Sequence, residues 1–177
     1  MALILLFPVV LIRVSKIALA GASAFFLLLV VFNNLTDYGS NFEFVKHVLS
    51  MDTTFPGNAG MWRAQTSPAV HHAFYATIIL WELLTCIILG AGTWRLWRAR
   101  AAAAAAWQGA KSLATLGLTL SLLQWYVAFI AVGGEWFLMW QSKTWNGQDA
   151  AFRMFAIMGV SLVFLSMRDD ELVPEKT

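Results

Sequence analysis

Glu82 carries the clearest chemical potential in this chain, because it stands alone in an apolar run. The stretch HHAFYATIILWELLTC leads from His71 to Cys86, and the apolar character continues to Trp94. A carboxylate near the middle of a membrane span costs about 2.5–3.5 kcal/mol even on the milder insertion scales, so its side chain must turn away from lipid. On a helix, His71, Tyr75, Ile78, Glu82 and Cys86 share one side, with Thr85 close by. The run Leu113–Val132 offers a facing stripe of Gly117, Ser121, Gln124 and Ala128, small or hydrogen-bonding and spaced for close approach. No basic residue is predicted at that depth. Two chemistries fit. One is a neutral acid hydrogen-bonded to Gln124 or Ser121, a structural link worth about 0.6–2 kcal/mol. The other is a proton- or cation-linked site reached past Tyr75 and His71.

The other reactive side chains point nowhere as sharply. Cys86 is the only cysteine, which excludes an intramolecular disulfide and any CxxC pattern. Thiol–disulfide exchange needs a second sulfur. His71 and His72 are adjacent and project about 100° apart on a helix, so they cannot share one ion without distortion. His47 with His71 leaves a haem or metal site at the outer surface as a geometric option. No Ser–His–acid constellation, Gly-rich phosphate loop or HExxH is present. The reading is a non-enzymatic protein with no catalytic residue, no metal ligand set and no cofactor.

What must position Glu82 is a membrane domain. Of 177 residues, 59% are hydrophobic and 12% charged, with a mean hydropathy of +0.67. A soluble domain carries about 45–50% apolar and about 25% charged residues, so the excess points to lipid as solvent. A net charge of +2 is too small to argue for nucleic acid. Four stretches reach spanning length, at roughly 14–35, 70–95, 112–132 and 150–167, giving an all-α bundle of four transmembrane helices. Trp94, Trp97 and Trp107 fall at one boundary, and Trp136, Trp140 and Trp145 at the other.

Basic residues set the orientation. Arg13, Lys16, Arg95, Arg98, Arg100, Lys111, Arg168 and Lys176 place eight of the twelve on one side. That side is the cytoplasm, and both termini lie there. The inner loop, 96–111, contains six alanines, Ala101–Ala106, expected to form a helical turn or two. Otherwise the inner side is expected to be undecorated. Ahead of Arg13, ALILLFPVVLI is apolar but too short to span, and Pro8 should interrupt a helix there. Two readings stand: an interfacial segment, or the product of a start codon assigned too early.

The outer loops, 36–69 and 133–149, form an ordered cap. Ser40 and Glu43 have capping-box spacing, and Phe42, Val45 and Leu49, with Phe44 and Val48, make the stripe of a short amphipathic helix. Ser67 and Pro68 suit a helix start. Gly133 and Gly134 should end the third span, and Asn146 should cap the fourth, with Asp149 in its first turn. Trp62, Trp136, Trp140 and Trp145 pack this cap, or open it to an apolar ligand or partner helix. Glu135 and Arg153 flank the same loop and should pair.

The loop strings NNLTDYGSNFEFVKHVLSMDTTFPGNAGMWRA and GGEWFLMWQSKTWNGQDAAFR resemble those of bacterial predicted small integral membrane proteins grouped as domain of unknown function 2165. The resemblance implies a four-span bacterial inner-membrane protein from about Arg13 to Met167. It brings no activity, ligand or catalytic residue. Two functional readings follow from the residues. The first is a non-catalytic accessory or assembly subunit, packed in the bilayer against a larger membrane complex. The second is a small transporter, channel or proton-linked element built on Glu82, as a homo-oligomer.

Overall fold

A computed structural model describes residues 2–169, with side chains from residue 9 onward; Lys176 lies outside this range. Every regular element in it is helical. Helix α1 is Ala2–Thr36, α2 Tyr38–Ser50, α3 Pro68–Ala99, α4 Ala104–Ala110, α5 Ser112–Leu123 and α6 Gln148–Ser166. A π-helical segment, Gln124–Trp136, prolongs α5. Single 3₁₀ turns occupy Ala59–Arg63 and Met139–Gln141. Four helical stretches are long and apolar enough to cross a membrane: Val9–Thr36, Pro68–Ala99, Ala104–Trp136 and Gln148–Ser166.

α3 is the centre of the bundle, packed between α1 and α5, while α6 lies on α5 and closes back on α1. The close approach of α3 and α5 depends on two glycines. A Cβ on Gly117 would meet the Leu89 Cβ at 2.8 Å, and one on Gly92 would lie 2.7 Å from the Ala114 Cα. Small residues at a crossing let backbones meet, which supplies packing where the hydrophobic effect is absent. The opposite faces are apolar and bare, with Phe25 60% and Val160 69% exposed, as contact with lipid requires.

Several local expectations are corrected. α1 runs unbroken through Pro8. Three of the alanines, Ala101–Ala103, form a turn instead of helix, and α4 begins at Ala104. Gly133 and Gly134 do not end the third span. The helix continues to Trp136 in π form, closing with Phe137 N–H donating to the Val132 carbonyl at 2.9 Å. Both glycines are buried there, with the Gln148 amide occupying the space a Gly134 side chain would need.

Ser40 is not a cap. α2 starts two residues earlier, after Asp37, and Glu43 instead takes Lys46 at 2.8 Å and His47 at 3.4 Å. Charge neighbours three and four residues along the helix outcompeted the backbone for this carboxylate. The Lys46 hydrogen bond holds Glu43 below its ordinary carboxylate value. Ser67 does precede Pro68, but its hydroxyl makes no cap hydrogen bond. Asn146 lies one residue before the cap position, yet its Oδ1 accepts from Gln148 N–H at 3.1 Å.

Candidate functional site

Glu82 sits on the buried face of α3, one in a series with His71, Tyr75, Ile79, Thr85 and Leu89. It is 1% exposed. Its Oε1 accepts from Gln124 Nε2 at 2.8 Å, and its Oε2 accepts from Asn34 Nδ2 at 2.6 Å. The Tyr75 hydroxyl, two turns up the same helix, donates to Asn34 Oδ1 and to the Asn34 carbonyl, each at 3.2 Å. Three helices thus meet at one carboxyl group: α1 through Asn34, α3 through Glu82, and the start of the π segment through Gln124.

Of the two partners expected for Glu82, Gln124 is in place and Ser121 is not: its hydroxyl, though fully buried, has no hydrogen-bond partner. Asn34 takes the second carboxyl oxygen instead. Sequence reading missed it because a polar residue at the end of a span looks like a boundary marker. The doublet Asn33–Asn34 was the available signal. His71 stays apart, its Nε2 against the Gln65 carbonyl at 2.7 Å.

Beside the carboxyl lies a cavity of about 200 Å³. Val30, Asn34, Asn41, Phe44, Val45, Tyr75, Ile78, Glu82, Trp125 and Phe129 line it, so α2 forms one wall and no lysine, arginine or histidine is present. Trp125 packs at a tilt on Phe129, 4.9 Å between ring centres, and Phe129 meets Phe44 at 6.4 Å. The Trp125 indole N–H and the Gln124 Oε1 are buried without a protein partner.

The tryptophan-rich loops are a separate region. Trp62 and Trp136 meet edge to face at 5.8 Å, and Arg63 lies 5.7 Å from one ring and 5.5 Å from the other. Trp140 packs on Phe55, and Trp145 stacks on His47 at 4.7 Å. The Glu135–Arg153 pair does not form: among the described residues no ion pair joins them, and both are exposed. The Glu135 backbone carbonyl instead receives Arg63, at 3.4 Å. Two exposed, solvated charges gain little from pairing, which offers no force to hold them together.

The histidines are spoken for individually. His47 Nδ1 lies 2.7 Å from Asp52 Oδ2, and His72 Nδ1 lies 2.8 Å from the Tyr38 hydroxyl. With His71 on Gln65, the His47–His71 ligand pair has no support in the geometry. Among the described residues, no three His, Cys, Asp or Glu side chains converge.

The far end of the bundle is not undecorated. Lys16, Lys111 and Trp107 are all nearly or fully buried there, and all three reach Asp169. Lys16 Nζ donates at 2.9 Å, Lys111 Nζ at 2.5 Å and Trp107 Nε1 at 2.8 Å. Both lysines also donate to the Met167 carbonyl, at 2.6 and 2.7 Å. Arg13, 5.1 Å from the Trp107 ring centre, donates to the carbonyls of Arg100 and Ala102 beyond the end of α3. Burial pushes the Asp169 carboxyl up, but the bonds from Lys111, Lys16 and Trp107 prevail and hold it below its ordinary value.

This four-span helical chain matches one family model over residues 12–168, described as predicted small integral membrane protein (DUF2165). The chain belongs to that family. No curated protein and no solved structure matches it. Membership therefore adds an integral membrane protein of unknown function, and the chemistry rests on the side chains described above.

Proposed function

We propose that the protein is a small proton- or cation-linked element of the bacterial inner membrane, with Glu82 as the binding group. One observation carries this reading. Glu82 is buried beside a cavity, and its partners are two neutral amides in place of a cation. Amides solvate a carboxylate without cancelling its charge, and an uncompensated charge in a low-dielectric interior attracts a proton or cation.

The accessory-subunit reading draws on the exposed apolar faces, but lipid alone accounts for them. In the proposed orientation both termini are cytoplasmic, and α2 with the tryptophan loops lies outside. Reporter fusions at the C-terminus and within 50–58 should then report opposite sides; the same side for both would overturn this orientation.

The functional test uses the full chain in proteoliposomes, with proton flux followed by an internal dye. Glu82→Gln keeps the side-chain shape and one accepting oxygen, and it cannot titrate. Flux, and the infrared band of a protonated carboxyl group, should be present in the wild type and lost in the variant. Identical behaviour of the two proteins would refute the reading. Purification without crosslinking separates a homo-oligomer, expected here, from a larger membrane complex.

A further inference from the structure

We propose that the Glu82 cavity binds a small organic monocation, an alkylammonium or quaternary ammonium compound, a specification that rests on Glu82 being the cation-binding group. The walls carry the argument. Glu82, Asn34 and Asn41 share the lining with four aromatic residues, Phe44, Tyr75, Trp125 and Phe129, and with three aliphatic ones. Four aromatic rings around one carboxylate are the combination that recognises an alkylated ammonium. The ring faces attract diffuse positive charge, and the carboxylate supplies the counter-charge.

An inorganic ion fits the same walls poorly. A desolvated metal cation needs an oxygen shell, about six to eight ligands for calcium. Here the two Glu82 oxygens already receive amide N–H groups, and Asn34 Oδ1 receives the Tyr75 hydroxyl. Rings and aliphatic side chains make up most of what remains. The volume, about 200 Å³, exceeds what a bare ion fills and suits a compact organic cation. With no lysine, arginine or histidine in the lining, nothing repels such a guest. The unpartnered Trp125 N–H, in a residue 8% exposed, supplies a donor for a hydroxyl or carbonyl on the ligand.

The test titrates the full chain, in a neutral sugar-based detergent, with choline chloride. Parallel titrations use sodium chloride and the uncharged isostere of choline in which carbon replaces nitrogen. Saturable choline binding is expected, with the isostere and sodium at least about tenfold weaker. Trp125→Leu and, independently, Phe44→Leu should each weaken choline binding by about 2–30-fold, with elution profiles showing that both variants remain folded. Equal binding of choline and its isostere overturns the proposal, as does unchanged choline affinity in whichever of these variants folds. If Glu82 titrates in the infrared while choline does not bind, the organic-cation assignment falls and the proton-linked reading stands. If wild type and Glu82→Gln titrate alike, the underlying reading falls as well.

Discussion

Glu82 and Asp169 are both acids whose side chains are 1% exposed, yet they are housed in opposite ways. Asp169 is met by two ammonium groups and an indole N–H, so its negative charge is more than offset inside the cluster. Glu82 is met by two neutral amides and by no cation. The first arrangement ties the segment after α6 to α1 and to the α4–α5 junction. The second sits where three helices meet beside open volume. Two ammonium groups make Asp169 a fastening; Glu82, which no cation meets, borders the cavity on which the proposed binding rests.

That contrast predicts unequal costs. Asp169→Ala strands Lys16 and Lys111 as buried, unpaired cations and should destabilise the protein by about 3–5 kcal/mol. Thermal unfolding in detergent would show it. Glu82→Ala removes an acceptor from two neutral donors that water from the adjoining cavity can satisfy in part, so the total loss should be smaller, about 1–3 kcal/mol. Should Glu82→Ala prove the more damaging, the division between fastening and binding site collapses.

Acid sharpens the comparison further. Asp169 is held below its unfolded value, so its stabilisation is complete above about pH 3.9 and drains away as pH falls through the lower folded value. Midpoints recorded from neutral pH down to about 3 should therefore drop more in the wild type than in Asp169→Asn, which has no such titration to lose. Parallel curves would remove the carboxylate from the account. The smallest effect is expected at α2. Ser40 is exposed and caps nothing, so Ser40→Ala should stay within about 0.5 kcal/mol of wild type. A marked rise in hydrogen exchange across 41–49 would contradict that.

The sequence by itself determined the class of protein, four spans, and the requirement that Glu82 face inward, because hydropathy and the cost of charge in lipid act on each helix alone. It also singled out Gln124, because helical spacing on two adjacent spans is enough to bring small and polar stripes to one depth. Asn34 was different. Its role depends on α1 packing against α3 at a particular height, and no periodicity within either helix encodes that height. The same holds for Lys16, Lys111 and Asp169. Read along the chain, the lysines are ordinary cytoplasmic positive charges, and only the return of the chain beyond α6 buries them against a carboxylate. The capping box failed for a local reason, since Glu43 pairs with Lys46 one turn along the same helix. Tertiary structure decided the contests between helices, where a hydrogen-bonding group goes to the donor that packing brings nearest, whatever the spacing in sequence suggests.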